Sequence, residues 1–439
     1  MSARILSDDV KDHAGKTVHI EGWLHKKRLL GGLTFINVRD RRGLVQVVIK
    51  DKAEVEKLRG LQIGTVLAVD GKVTKEPRAP GGAELHDAKL TILVPVTDEP
   101  PIEIDKPLSH KPDNLDTLFD HRALGLRNLQ EQKIFKIRAA ILGYVRDFLS
   151  EHDFTEIQTP KLVAGAAEGG AEVFKLDYFG QEASLAQSPQ LYKQIMVGVF
   201  ERVFEIGPAF RAELSATTRH ISEVTMLDIE MGFVEKHQEV LDMVQDLTYF
   251  VLTSVYKNFA SELKSLNAPE LVLKEKFPAY TVEQVHELYS EDNKADTREE
   301  KDLTPDEEKW ICEYAKKHDG CEAVFVTGFP REMHKFYQML NPDDDGKTVL
   351  TGDLIFRGVE LATCPMREHD YRKMVNQMKE KGIDPEHPGF KYYLQAFKYG
   401  LPPHGGCGYG IDRLVEKTVG LNNVREATLF PRDINRLTP

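Results

Sequence analysis

The segment Gly207-Pro-Ala-Phe-Arg-Ala-Glu213 carries an arginine and a glutamate two positions apart, and Thr218-Arg-His220 and Met226-Leu-Asp-Ile-Glu230 follow closely. On a strand, residues i and i+2 point to one face, so Arg211 with Glu213, and Asp228 with Glu230, would crowd charges onto one side of a sheet. A simple ion pair across that face accounts for Arg211 and Glu213 alone. The full set is costly to bury, and the pattern therefore predicts a polar cleft. A guanidinium there suits an anion, because its planar fork grips phosphate or carboxylate through two parallel hydrogen bonds. Near the C-terminus, Gly408-Tyr-Gly410-Ile-Asp-Arg413 places glycines that admit a flat group to the backbone just before an arginine able to stack on it. A Gly-rich turn into a helix with a surface arginine is the plainer alternative. Two phosphate-binding signatures fail. Gly-Lys-Thr at 15–17 and 346–348 has Val10 and Asn341 where a P-loop needs glycine, and the glycines of 405–410 meet Ile411 where GxGxxG needs its last one. A nucleotide must be held another way.

The elements that carry these residues fall into two parts. In the first hundred residues, alternation at Val18, Ile20 and Gly22, then Leu33–Val38, Leu44–Ile49, Val66–Val73 and Leu85–Val96, predicts five short strands, with a charged helix over Lys52–Leu61 after the third. That is the plan of an OB-fold barrel, whose usual ligand is an oligonucleotide or oligosaccharide; another small β-barrel is the alternative. A proline-rich stretch over 97–112 reads as a linker. Beyond it, Ile134, Ile137, Ile141, Tyr144, Val145 and Phe148 recur at helical spacing, and Pro160 stops any helix. Residues 291–308 hold nine acids and three bases and predict an exposed, charged excursion.

Composition bounds the class. The 439 residues are 41% hydrophobic and 29% charged, typical of a soluble globular protein of two or three domains. The short apolar runs predict no membrane-spanning helix, and the N-terminus has no apolar signal region, which predicts a cytoplasmic protein. Four cysteines without a CxxC pair argue against a disulfide framework or a zinc site. The net charge of −12 argues against a nucleic-acid partner, but it is an average. Residues 1–100 carry 17 Lys/Arg against 14 Asp/Glu, and Lys26–Arg42 has six bases and one acid.

Together these motifs resemble those of the class II aminoacyl-tRNA synthetases. The helix leading to Phe154-Thr-Glu-Ile-Gln-Thr-Pro160 is similar to motif 1, Phe210-Arg-Ala-Glu213 to motif 2, and Gly410-Ile-Asp-Arg413 to motif 3. The order and the N-terminal barrel resemble most the archaeal-type aspartyl-tRNA synthetases, with a similar Phe430-Pro-Arg-Asp ending. The resemblance implies an α+β fold: a five-stranded OB-fold anticodon domain over 1–100, a hinge over 101–125, and over 126–439 a catalytic domain, an antiparallel sheet flanked by helices, with a charged insertion around 260–345. It implies ATP-dependent attachment of L-aspartate to tRNA(Asp), through an aspartyl-adenylate, by a cytoplasmic homodimer using Mg²⁺. In the implied ATP site Arg211 clamps the α-phosphate, Glu213 accepts from the adenine amino group, Arg413 stacks on adenine, and Arg219 and His220 meet the terminal phosphates, with Ile221 and Gly410 beside them. Asp353, Glu360 and the Thr363 hydroxyl are the implied metal ligands. Glu168, Gln190 and Asp228 take the substrate ammonium, while Lys193 and Arg367, with Arg211 and Thr363 near, take the carboxylates of aspartate. Two buried cations facing a neutral amide would be left unpaired, which argues for aspartate over asparagine. The family's Ser-Ser-Gly-Gly-Gln-Arg run is here Ala362-Thr-Cys-Pro-Met-Arg367, and Asp412 stands where Glu is common.

In the barrel the resemblance implies that Phe35 stacks an anticodon base and Gln46 reads its edge, with Arg28 and Glu84 as companions; barrel core is the alternative for Phe35. His25 and Pro80 are similar to the relaxed type of enzyme, which charges tRNA(Asn) as well and relies on an amidotransferase to convert the product. The competing readings are an asparaginyl-tRNA synthetase, which shares most of these residues, a non-catalytic RNA-binding paralogue, which would be expected to lose Arg211, Glu213, Glu360 or Arg413, and an asparagine synthetase, which would lack the barrel.

Overall fold

A computed structural model describes residues 3–30, 33–108, 110, 114–164, 173–214 and 217–439. The chain forms two compact units, Met1–Gln132 and Lys133–Pro439. In the first, β1 (Thr17–Leu30), β2 (Leu33–Arg39), β3 (Leu44–Ile49), β4 (Val66–Lys75) and β5 (Ala83–Val94) close into a barrel of order β1-β2-β3-β5-β4. Helix Lys52–Arg59 lies between β3 and β4, and Asp51 caps it by accepting from the backbone amides of Ala53 and Glu54. The expected OB-fold is therefore present. Its alternating strands do what alternation requires: Val18, Ile20, Ile36, Val38, Val45 and Val47 fill the barrel while their neighbours face out. The stretch expected as a linker also contains two short helices, Leu115–Asp120 and Arg122–Gly125.

The second unit is built on an eight-stranded sheet. Its strands are β6 (Thr155–Glu156), β10 (Arg202–Phe210), β11 (Glu223–Gly232), β12 (Ala279–Thr281), β13 (Ala323–Thr327), β14 (Gly352–Phe356), β15 (Val359–Thr363) and β16 (His404–Gly410), in the order β12-β13-β14-β15-β16-β11-β10-β6. All pairings are antiparallel except β12 with β13 and β10 with β6. A small sheet of β7 (Leu162–Val163), β9 (Gln181–Leu185) and β8 (Lys175–Tyr178) accompanies it. Helix His237–Asn258 buries Val240, Val244, Leu247, Val251 and Val255, a 3–4 spaced stripe, in the same core as the buried stripe Ile134, Ile137, Ile141, Val145 and Phe148 of helix Leu129–Glu151. This is the expected α+β arrangement, an antiparallel-rich sheet flanked by helices. No helix among the described residues is long and apolar enough to cross a membrane.

The acid-rich stretch corrects an expectation. It is not simply an exposed excursion: Glu307 is fully buried and accepts from Thr304, Thr297 and His286. Thr304 and Glu307 form a capping box with Pro305 at the first helical turn, opening helix Pro305–His318. Asp306, Glu307 and Glu308 then lie at the positive end of that helix, and Lys316, Lys317 and His318 at the negative end. The charge run is thus in part a helix start. Replacing the cap by Thr304→Ala should lower stability by about 1 kcal/mol, measured as a lower midpoint in thermal or urea unfolding.

Candidate active site

Along β11, β15 and β16 the second unit opens a cleft. It is lined by Arg211, Glu213, Arg219, His220, Ile221, Glu360, Gly410 and Arg413, and also by Gln190, Lys193, Asp228, Thr363 and Arg367. Residues spread over two hundred positions of sequence therefore converge on one cavity. Of the residues singled out in this unit, Asp353 is not in the lining, and Glu168 lies outside the described residues.

The floor of the cleft is a buried ionic array. Lys193, on helix Gln190–Phe200, donates to Asp228 Oδ1 at 2.9 Å and to the Cys407 carbonyl at 2.9 Å, with Glu230 Oε2 at 3.5 Å. Arg367 donates through Nε and Nη2 to the two oxygens of Glu230, at 2.8 and 3.0 Å. All four side chains are at most 3% exposed. Burial would raise the Glu230 carboxyl, but Arg367 and Lys193 hold it below the usual carboxylate range. This corrects the picture of two uncompensated cations, because Asp228 and Glu230 already balance Lys193 and Arg367. The guanidinium keeps its Nη1 group uncommitted among the described residues, and it stacks on Tyr337 with 5.4 Å to the ring centroid.

Glu230 was visible in sequence only as the i+2 partner of Asp228; its role as counter-ion depends on Arg367, which is 137 residues away. Glycine permits the arrangement: a Cβ at Gly406 would sit 2.0 Å from the Ile229 carbonyl oxygen and 2.7 Å from Glu230 Oε2. So this part of the glycine run serves strand packing over Glu230, while Gly408 and Gly410 line the cleft. Below lies a second buried network. Tyr393 and Gln190 both donate to Gln194 Oε1, and the Gln194 amide donates to His404 Nε2. His404 stays neutral because burial brings its pKa down to about 4. Gln190 is thereby held with an acceptor oxygen left for the cleft. Cys364 and Cys407 are fully buried, and burial pushes the Cys364 thiol well up, so the Cys-Pro-Met departure adds packing rather than a reactive group.

The upper wall differs from expectation in one respect. β10 ends at Phe210, so Arg211 and Glu213 do not project from a strand; they lie in irregular chain that stays attached through Arg211 N–H to the Ser222 carbonyl at 2.9 Å. They still line the cleft. Burial pulls the His220 pKa down, Glu213 opposes this, and Arg413, Arg211 and Arg219 reinforce it, so His220 is a neutral hydrogen-bonding group, with Nδ1 2.7 Å from the Thr217 hydroxyl. Arg413 donates to the Glu360 carbonyl at 2.8 Å, with Glu360 Oε2 at 3.5 Å. Asp412 is buried, accepts from Arg138 and from the Thr225 amide, and so ties the helix after β16 to helix Leu129–Glu151.

Asp353 and Thr363 face each other across β14 and β15, and the Thr363 hydroxyl donates to Glu360 Oε1 at 2.8 Å. Burial, and then Glu360, push the Asp353 carboxyl well above the usual range, and its Oδ1 is buried with no hydrogen-bond partner among the described residues. Burial would raise Glu360 too, but Arg413, Thr363 and Arg211 hold it lower. A hard dication would satisfy the orphaned Asp353 oxygen. The described residues hold no group of three or more His, Cys, Asp or Glu side chains that could hold a metal.

A family model for class II tRNA synthetases (D, K and N) matches residues 114–434, and one for the OB-fold nucleic acid binding domain matches residues 18–94. The chain belongs to the class II tRNA synthetases. It is 40% identical over 439 residues to an aspartate–tRNA(Asp/Asn) ligase of Thermus thermophilus, covering 99% of this chain and 100% of the relative. It is also 40% identical over 438 residues to an aspartate–tRNA(Asp) ligase of Pyrococcus abyssi, covering 99% and 98%. Among solved structures, asparaginyl-tRNA synthetase of Pyrococcus horikoshii complexed with asparaginyl-adenylate superposes with a TM-score of 0.91 at 30% identity, covering 100% of both chains.

In the synthetase's barrel, Lys26, Arg28, Leu30, Phe35, Asn37 and Gln46 line a small outward pocket. Phe35 is half-buried between the inward residues Thr34 and Ile36, so it is not barrel core. It pairs across strands with Arg28, and Gln46 Nε2 donates to Glu84 Oε2 at 2.8 Å. The four proposed anticodon residues are thus brought together. His25 sits in the bulge of β1 between Leu24 and Lys26, and Pro80 opens the turn before β5; neither lines this pocket.

Glu230→Ala should leave Arg367 and Lys193 short of a counter-ion and cost about 3–5 kcal/mol. Urea unfolding at neutral pH measures that loss.

Proposed function

We propose that this synthetase attaches L-aspartate to tRNA(Asp) and to tRNA(Asn) in the cytoplasm, as a homodimer that uses ATP and Mg²⁺. The observation that carries the amino-acid choice is the Lys193–Asp228–Glu230–Arg367 array on the cleft floor. Lys193 and Arg367 are donors only. A carboxylate offers acceptors alone, whereas a carboxamide brings an N–H₂ that would face those donors. The discrimination is therefore one of donors against acceptors, with Asp228 and Glu230 compensating both cations and holding them in place. The aspartate-ligase names of the full-length relatives support the same reading. The asparaginyl reading has the solved-structure likeness in its favour, but that is at 30% identity and shares the fold. The non-catalytic reading has little support, since Arg211, Glu213, Glu360 and Arg413 all line the cleft.

In the proposed reaction the α-carboxylate oxygen of aspartate attacks the α-phosphorus of ATP and pyrophosphate leaves. The terminal ribose hydroxyl of tRNA then attacks the acyl carbon of the adenylate and AMP leaves. The protein supplies no nucleophile; position and charge suffice. Arg211 meets the negative charge that builds on the α-phosphoryl oxygens, Arg413 and Glu213 hold adenine, and Gln190 with Asp228 receives the ammonium. Asp353 and Glu360, with Thr363 beside them, would hold Mg²⁺, which supplies neutralising charge to the phosphates. In the barrel Phe35 offers a stacking face and Gln46 an edge-reading amide, with His25 and Pro80 proposed to relax the choice of tRNA. Charging of tRNA(Asn) with aspartate implies an amidotransferase to convert the product.

Aspartylation of purified tRNA(Asp) and tRNA(Asn) in parallel tests the reading, with both expected to be charged; failure of tRNA(Asn) alone removes the relaxed specificity. Arg211→Ala should abolish aspartate-dependent pyrophosphate exchange. Phe35→Ala should leave exchange intact and weaken charging by about 1–3 kcal/mol of base stacking. Equal damage to exchange by both variants would contradict the division of labour.

A further inference from the structure

Arg219 is engaged from outside its own motif. Its Nη1 donates to Glu308 Oε2 at 2.7 Å, and its Nη2 donates to the Gly358 carbonyl at 3.1 Å. Glu308 belongs to the first turn of helix Pro305–His318, in the acid-rich stretch outside the cleft lining. The two side chains are 21% and 18% exposed, so the pair is neither a solvated surface contact nor a sealed core pair. Burial pushes the Glu308 carboxyl up, Arg219 draws it back, and Glu360 pushes it up again, so the carboxylate is at ease only while a cation is beside it.

The position of Glu308 is fixed by packing. Gly358, in the turn between β14 and β15, has φ +75°, and a Cβ there would come within 2.8 Å of Lys309 Cγ and 3.0 Å of Lys309 Cα. The turn therefore closes directly onto the helix one residue beyond Glu308. The same turn joins the strands that carry Asp353 and Glu360 and presents the carbonyl that Arg219 takes. Helix, turn and guanidinium meet at one point behind the cleft lining, to which Arg219 belongs.

We propose that Glu308 is a positioning residue that stands in for the polyphosphate. It holds Arg219 toward the cleft in the absence of nucleotide, yields it to the terminal phosphates of ATP, and takes it back as pyrophosphate leaves. This rests on the reaction proposed above. An arginine without a partner would sample many rotamers, and one bound to its anion without competition would be slow to release it. A carboxylate fixed behind the arginine meets both needs, because it keeps the fork aimed and offers an exchange partner that a more highly charged polyphosphate displaces. The acid-rich stretch then contributes to the catalytic unit through one carboxylate at the helix start.

The test uses the full-length enzyme and the variants Glu308→Gln, Arg219→Ala and the two combined. In aspartate-dependent pyrophosphate exchange, Glu308→Gln should lower KM for ATP and the inhibition constant of pyrophosphate, each roughly fivefold, the factor of a partly exposed ion pair. KM for aspartate and kcat should move by less than about twofold. In the Arg219→Ala background the same substitution should change nothing, since its partner is gone. An unchanged or raised KM for ATP, or an effect that persists without Arg219, overturns the proposal. Calorimetric titration of ATP alone gives a second reading with the same expected tightening, and it needs no aminoacyl chemistry. Absence of exchange in the unaltered enzyme would count against the proposed reaction, whereas normal exchange with an indifferent Glu308→Gln counts against Glu308 only. If Glu308→Gln unfolds, Glu308→Asp, which cannot reach Arg219 as closely, should show the same tightening to a smaller degree, and failure to do so overturns the proposal.

Discussion

Two cations and two carboxylates closed from water constrain everything else in the catalytic unit. Lys193, Arg367, Asp228 and Glu230 are each nearly inaccessible, and none could stand there alone without a penalty of several kcal/mol. The sheet is arranged so that none does. β11 carries both acids, helix Gln190–Phe200 delivers the lysine, and the chain after β15 returns the arginine. β16 lies flat over Glu230 because Gly406 has no side chain to prevent it. The array is electrically balanced before any substrate enters, so its two buried cations are compensated within the fold itself.

Around that floor the remaining charges are arranged by the same logic of compensation. Arg413 is set against Glu360, Arg138 against Asp412, and Arg219 against Glu308. Asp353 is the exception, with a buried oxygen that no group among the described residues satisfies and a carboxyl pushed well up by burial and by Glu360. A carboxyl oxygen left open at that place would suit a nucleotide-borne dication. The neutral His220 adds a hydrogen bond near the arginines without adding to their charge.

Much of this was legible in the sequence, and the limits have physical reasons. The barrel strands could be read because alternation with a period of two is set by which face meets the core, a local matter. Helix Leu129–Glu151 was legible for the equivalent reason at a period of 3.6. Arg211 and Glu213 were read onto a strand that in fact stops at Phe210, because strand ends are set by neighbouring chains and not by side-chain pattern. Within the acid-rich 291–308, Thr304-Pro-Asp-Glu307 encodes a capping box, and no local signal could show that Glu307 would be buried against His286 and Thr297. The cations of the pocket were legible by motif, but their counter-ions were not, since Glu230 meets Arg367 only in the folded sheet.

The proposed basis of the amino-acid choice is the balanced, donor-rich floor of the cleft. Pyrophosphate exchange with purified enzyme, supplied separately with aspartate and with asparagine, tests it. Exchange is expected with aspartate, with a kcat/KM for asparagine lower by at least about a thousandfold, because buried donors would face an amide N–H₂. Comparable exchange with both amino acids, or exchange with asparagine alone, would contradict it.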